Sequence, residues 1–311
     1  MSSYLKHLLI LMPIAAGALW GSAGVFVRDL NAFGMDNYTV LGTRMIVAVV
    51  LMFALMFAYD RSMLKIRLKD FWLFAGAGIP GMLFLNLCYN EAIGMLALSL
   101  SAILLSMAPF FAILMAVVLF NEKITRKKAG CMITAFAGCA LASGIFDGAG
   151  VLHWSMSGIV MGIMAAFFYA LYGIFSKMAT NRGYHTFTIL FYSILLIAVV
   201  MIPFTDWQLF GTFLAASPVE NSVFAVAHSL CTSILPYMLF SFALVHMETG
   251  KAAILAGGAE PVSAVIFGAA FFAEIPTILT FSGIVLAVFA LSYLCYEPKT
   301  ENEVKAAVNE S

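Results

Sequence analysis

Apolar residues run along this chain in long blocks, and the short stretches between the blocks hold nearly all of its lysine and arginine. Ten such blocks occur, over 8–28, 38–59, 70–94, 96–119, 128–146, 156–179, 185–204, 222–245, 251–273 and 278–296. A helix of roughly 20 apolar residues crosses a hydrocarbon core about 30 Å thick. The blocks lack the short polar–apolar alternation of a membrane barrel, so they predict ten spanning helices. Between the seventh and eighth blocks, Trp207, Phe210, Phe213 and Leu214 recur at helical spacing, which predicts a short helix lying along the membrane surface. After 296 the pattern turns polar, and 297–311 reads as a cytoplasmic tail.

The blocks repeat. At one constant offset, Trp20 pairs with Tyr169, Gly24 with Gly173, Phe26 with Phe175, Arg28 with Lys177 and Thr39 with Thr188. At an offset three residues longer, Pro109 meets Pro261, Phe120 meets Phe272, Glu122 meets Glu274 and Thr125 meets Thr277. Two units follow, 8–146 and 156–296. Each carries five spans, and five is odd, so the second unit enters the bilayer in the opposite sense. The predicted fold class is an all-α membrane protein of ten transmembrane helices arranged as two inverted five-helix repeats. Inverted repeats are a recurring construction of secondary transporters.

Composition agrees with the pattern. The chain of 311 residues is 63% hydrophobic and 10% charged, far from the averages of soluble domains. Its formal net charge of zero gives no footprint for nucleic acid. Cys88, Cys131, Cys139, Cys231 and Cys295 lie scattered in apolar blocks without metal-ligand spacing, so neither a disulfide framework nor a metal site is expected. The first block runs on past the length of a signal core without a cleavage site, so it is expected to stay in the protein. Arg61, Lys65, Arg67, Lys69, Arg126, Lys127, Lys177, Arg182 and Lys251 all fall on the side of the amino terminus, whereas only Arg28 and Arg44 lie toward the other face. The positive-inside rule then places both termini in the cytoplasm.

Charges and breaks inside the blocks mark the candidate site. Pro80 and Pro236 interrupt the third and eighth blocks and Pro109 and Pro261 the fourth and ninth, which are matching places in the two units. Broken helices at matching places point to a midplane binding site, although prolines also bend helices for packing alone. A charge at the centre of a spanning helix costs on the order of 3 kcal/mol and calls for a partner or a wet cavity. Glu260 falls near the midplane and is either the first candidate for substrate binding and proton coupling or a neutral, hydrogen-bonded structural carboxyl. Arg44 either binds an anionic substrate group or pairs with an acidic residue. Asn86 and Asn90, one turn apart, share a polar face. His228 is a second candidate for proton coupling, or a packing histidine. Trp20, Tyr169 and Tyr237 offer aromatic faces with polar handles; Trp20 and Tyr169 occupy matching places in the two units and suit stacking on a planar or cationic solute. Glu122 and Glu274 each end a helix, where the helix dipole disfavours an anion. Arg28 with Glu274, and Lys177 with Glu122, either form two gating ion pairs or reach separately to water.

The stretches ALWGSAGVFVR (18–28), LGTRMIVAVV (41–50), MAPFFAILMAVVLFNEKIT (107–125) and its second copy AEPVSAVIFGAAFFAEIPT (259–277) resemble the two EamA modules of the drug/metabolite transporter superfamily. The resemblance covers about 12–145 and 156–296. It implies a ten-helix fold around a cavity lined by helices 1–4 and 6–9, with helices 5 and 10 at the periphery. It also implies export of small organic metabolites, amino-acid-like or drug-like, often driven by protons, from a bacterial inner membrane. No cofactor, catalytic residue or metal is expected, and the partners are a small-molecule substrate, the lipid bilayer and a proton; a homo-oligomer stays open. The sequence departs from symmetry in placing Ser193 opposite Arg44 and Ala108 opposite Glu260. The alternative readings are an intramembrane enzyme, with His228, His246, Glu248 and Glu260 as its polar groups, and an assembly subunit that transports nothing.

Overall fold

A computed structural model describes residues 3–120, 125–142, 155–247 and 249–295. All regular structure among these residues is helical. Eight helical segments are long and apolar enough to cross a membrane: α1 (Leu9–Ala32), α2 (Asn37–Tyr59), α3 (Leu68–Met95), α4 (Leu98–Met115), α6 (Met156–Asn181), α7 (Thr186–Phe204), α8 (Pro218–Leu244) and α9 (Lys251–Phe272). Two further apolar helices, α5 (Ala129–Ala142) and α10 (Ile278–Leu294), are shorter. The protein is thus an integral membrane protein, with eight spans of full length among the described residues where the sequence reading expects ten. The fifth block extended to 146, and 143–154 lie outside the described residues, as do Glu248 and the tail 297–311.

Local chemistry explains where the helices start and stop. The Asp36 carboxylate caps α2 by accepting from the Thr39 N–H at 2.9 Å, and Ser155 caps α6 by accepting from the Gly158 N–H at 3.3 Å. The α6 helix ends where Gly183 turns left-handed at φ +86°, a conformation that costs glycine little. The segment after α7 folds into the short helix Trp207–Ala216, capped by Asp206, and buries Phe213 against Phe33 at 5.1 Å between ring centroids.

In lipid, helices gain little from hiding apolar surface, so close packing of small residues holds them together. On α5, a Cβ at Gly138 would stand 2.6 Å from the Ala287 backbone nitrogen of α10, and Gly283 of α10 is pressed in the same way against the Gly138 carbonyl. Gly17 and Gly21 do the same for α1 against Ala256, Glu260 and Ser263 of α9. The largest buried cluster joins Leu41, Met45, Met52, Phe74, Ile189 and Ile194 of α2, α3 and α7.

Two of the proline-marked helices change winding. In α3 the residues Ala77–Leu83, around Pro80, form a π-helical turn, and in α8 Leu230–Ile234 do so just ahead of Pro236. Such turns arise when the ordinary bond ladder is broken, and they gather at functional sites. The fourth block breaks at Ser106 and Met107, just ahead of Pro109. The ninth, expected to break at Pro261, instead runs unbroken through it. Proline there removes the donor to the Gly257 carbonyl, and that stretch borders a cavity lined by Ala256, Gly257 and Gly258.

Candidate functional site

The π-helical turns and the broken α4 face one another across the centre of the bundle. A cavity of about 60 Å³ there is lined by Arg44, Asn86 and Tyr89, by Thr232, Ser233 and Tyr237, and by Trp20, Tyr169 and Glu260. A second chamber, of about 170 Å³, shares Trp20, Leu105, Tyr169 and Glu260 with it and extends along Ser106, Pro109 and Gly257. A wider cleft of about 720 Å³ begins at Pro109 and Tyr169 and runs past Gly173 to Lys177 and Asn181. Tyr169 borders all three, so the cavities form a path from the centre to the Lys177 end of the bundle.

The charges at the centre are poorly compensated. Arg44 is 5% exposed; its Nη2 donates to the Asn86 carbonyl oxygen, whereas its Nε has no hydrogen-bond partner. Asn86 is in turn held by its Nδ2, which donates to the Met82 carbonyl at 2.7 Å within the wound turn region. Glu260 is 8% exposed and borders two chambers, and no hydrogen bond or ion pair engages its carboxylate among the described residues. A buried cation and a buried carboxylate therefore face one cavity without pairing with each other. Such an arrangement is costly unless water or a ligand completes it. Trp20 packs edge-on to Tyr237 at 5.2 Å, and Tyr169 stacks on Tyr172 at 6.5 Å.

Two expected members stand apart from the cavity. Asn90 is buried one turn beyond Asn86 toward the Arg28 end, with its amide nitrogen unpartnered, and does not line the chambers. His228 lies flat on Phe26 at 5.1 Å, its Nε2 without a hydrogen-bond partner, in the layer behind Arg44. The α7 helix contributes no side chain to the two central chambers, because it packs against α2 and α3, where Ser193 lies against Gly78. The α10 helix, expected at the periphery, lends Leu291 and Ser292 to the second chamber. Thr232 and Ser233 line the site without having been singled out from the sequence.

At the Arg28 end the helices are tied together. Arg28 Nη1 meets Glu274 Oε1 at 2.6 Å, its Nε and Nη2 donate to the Ile93 and Leu96 carbonyls at 3.1 and 2.6 Å, and its guanidinium lies 4.6 Å over the Phe272 ring. Glu274 Oε2 accepts from the Leu98 N–H at 2.9 Å, which supplies the stabilisation that the end of α9 withholds. Ala273 holds the turn in the left-handed region at φ 53°. One cluster thus ties α1, the α3–α4 junction and the end of α9. At the other end Lys177 is exposed and lines the wide cleft. Its expected partner Glu122 lies outside the described residues. That end is bridged elsewhere: Asp70 of α3 accepts from Arg182 and, at 2.7 Å, from the Tyr184 hydroxyl.

The model of the EamA-like transporter family matches residues 7–144 and again 156–296. An uncharacterized transporter of Bacillus subtilis, YxxF, is 28% identical over 184 residues, which are 59% of this chain and 57% of that protein, so the chain spans little more than half the length of that relative. The pseudopaline exporter CntI of Pseudomonas aeruginosa is 26% identical over 217 residues, covering 68% of this chain and 71% of its own. One solved crystal structure covers 98% of this chain and 99% of its own at a TM-score of 0.59 and 15% identity, which is a likeness of fold.

Proposed function

Because this chain belongs to the EamA-like transporter family, we propose that it is a secondary active exporter of a small amino-acid-like zwitterion, working by alternating access and coupled to protons through Glu260. The observation that carries this reading is that Arg44, its Nε without a partner, and Glu260 face one aromatic-walled cavity without pairing with each other. A zwitterion supplies both missing partners at once: its carboxylate completes Arg44 beside Asn86, and its ammonium group meets Glu260 near Trp20 and Tyr169. The chambers of about 60 and 170 Å³ fit a solute of that size better than a drug-sized one, for which pockets of roughly 300–1,000 Å³ are usual. Export follows the name carried by CntI.

Ten spans in two inverted halves are supported by how the helices meet. The α1 helix packs on α8 and α9 as α6 packs on α3 and α4, and α2 meets α7 as α5 meets α10. Exchanging the halves maps this set of contacts onto itself. The paired π-helical turns in α3 and α8 obey the same exchange. Two packings related by that exchange would open the cavity to either side in turn. With the lysine-rich end in the cytoplasm, the closed Arg28 cluster makes this the inward-facing state. Glu260 then exchanges its proton for the ammonium group of the solute, so that proton entry drives solute out.

The test is counterflow of amino acids and small zwitterions in proteoliposomes, with and without a pH gradient. The wild-type protein moves a zwitterion and responds to the gradient; Glu260→Gln keeps exchange at equal pH and loses the response. Glu260→Gln responding to the gradient like the wild type would remove proton coupling from this residue, and full flux in Arg44→Met would remove the binding site.

A further inference from the structure

At the Lys177 end, away from the path just described, the loop between α2 and α3 and the turn between α6 and α7 enclose a polar pocket of about 450 Å³. Three cations, Lys65, Arg67 and Arg182, line it together with His185 and the hydroxyls of Ser62 and Tyr184. The loop backbone is fixed from several sides. Thr188 and Tyr192 donate to the Met63 and Leu64 carbonyls at 2.8 and 2.7 Å, and the Arg67 N–H donates to the Tyr184 hydroxyl at 3.1 Å. Two carboxylates oppose the cations. Asp70 is engaged by Arg182 and Tyr184 behind the pocket. Asp60 is hydrogen-bonded by the Ser62 hydroxyl and N–H, both at 2.8 Å, and these bonds hold it below the usual carboxylate range, so it stays charged and turns an incoming anion toward Lys65 and Arg67.

Directly beside this pocket lies an apolar groove of about 370 Å³, walled by Leu55, Tyr59, Phe187, Met238 and Phe242 on α2, α7 and α8. The two depressions share Met63 and His185. Tyr59 is 81% exposed and Phe242 48%, so the groove opens on the face turned to lipid. A cationic pocket that passes without interruption into an apolar furrow matches a molecule with an anionic head and a hydrocarbon chain.

We propose that this composite site binds one anionic phospholipid, with its phosphate between Lys65 and Arg67 and an acyl chain in the groove between α2 and α8. The assignment stands apart from the transport reading, since it needs only the membrane and these two adjoining surfaces. Because Arg182 and Tyr184 connect the pocket to Asp70 of α3, the bound head group steadies the junction between α3 and α6 at the open end.

Native mass spectrometry of the full chain in detergent tests this, with dioleoyl phosphatidylglycerol and dioleoyl phosphatidylcholine offered in competition. The wild-type protein retains one phosphatidylglycerol in preference. Lys65→Gln and Arg67→Gln each reduce that preference roughly fivefold, the worth of one cation near an anionic head group. Ser241→Trp, which fills the groove, lowers retention of both lipids. Arg61→Gln, on the same loop but outside the pocket, leaves the preference unchanged. All four positions are exposed or half-buried, so the variants keep the fold. Equal retention of the two lipids by the wild type would overturn the proposal, as would an Arg61→Gln effect as large as that of Arg67→Gln. Displacement of the lipid by an equal concentration of glycerol 3-phosphate would show that the groove contributes nothing, and would overturn it too.

Discussion

Arg44 sits in an apolar helix with one side-chain partner, Asn86, and one empty donor position. Removing Asn86 leaves more of a buried guanidinium unsatisfied, so Asn86→Leu is expected to destabilise the protein by about 1–3 kcal/mol. Arg44→Met in the same background restores most of that loss, because it removes the buried charge along with its partner; thermal unfolding in detergent of both variants gives the comparison. Equal unfolding of Asn86→Leu and wild type would mean that water already serves Arg44. Both charges of the site were legible in the sequence, since an arginine or a glutamate inside an apolar run has to face a partner or a wet cavity. Thr232 and Ser233 were not, because hydroxyls in spanning helices usually bond back to their own turn, as Thr232 does to the His228 carbonyl at 2.6 Å. Only the change of winding ahead of Pro236 brings them to the cavity. His228 and Asn90 show the opposite limit: the depth of a polar side chain in an apolar run is readable from its position, whereas a local π turn alters the direction it faces.

Helices in this bundle are specified by two kinds of glycine, and the two should respond differently to substitution. Gly138 has α10 backbone 2.6 Å from where a Cβ would stand, whereas Gly257 has nothing within 4 Å because it faces open chamber. Gly138→Leu should therefore separate α5 from α10 and lower the unfolding temperature, while Gly257→Leu should fold normally and lose solute flux by filling the chamber. Circular dichroism melts read alongside proteoliposome flux separate the two; full flux in a folded Gly257→Leu would mean the chamber is not part of the path. At this scale the sequence indicated which helices pair with proline breaks, from the matching of Pro80 with Pro236. It did not indicate that the ninth block would run straight through Pro261, since that depends on whether the freed Gly257 carbonyl borders a cavity, and no local pattern encodes that.

Across the whole molecule, Arg28 and Glu274 tie the helices at one end and a wide cleft lies at the other. A cysteine placed at Ala23, which borders the central cavity, should react with a membrane-impermeant thiol reagent from the Lys177 side. Glu274→Gln removes the ion pair and weakens the bond to the Leu98 N–H, so it should raise labelling from the Arg28 side severalfold, in line with about 1–2 kcal/mol of lost closure. Labelling unchanged in that variant would show that packing alone, rather than the charge cluster, keeps the end shut. Exchanging the two charges should restore closure only in part, because two of the Arg28 bonds go to the Ile93 and Leu96 carbonyls, which a carboxylate at position 28 would repel. That Arg28 and Glu274 pair was one of the two readings the repeat left open. The backbone carbonyls that share the arginine were not readable, since nothing in a sequence announces where a helix junction will present its unpaired oxygens.

Ala273 carries that seal in a backbone conformation that disfavours any side chain by roughly 1–2 kcal/mol. In the transport cycle proposed above, closing this end would meet that resistance each time. In that proposed cycle, reopening toward the Arg28 side would start from a strained turn that touches no cargo.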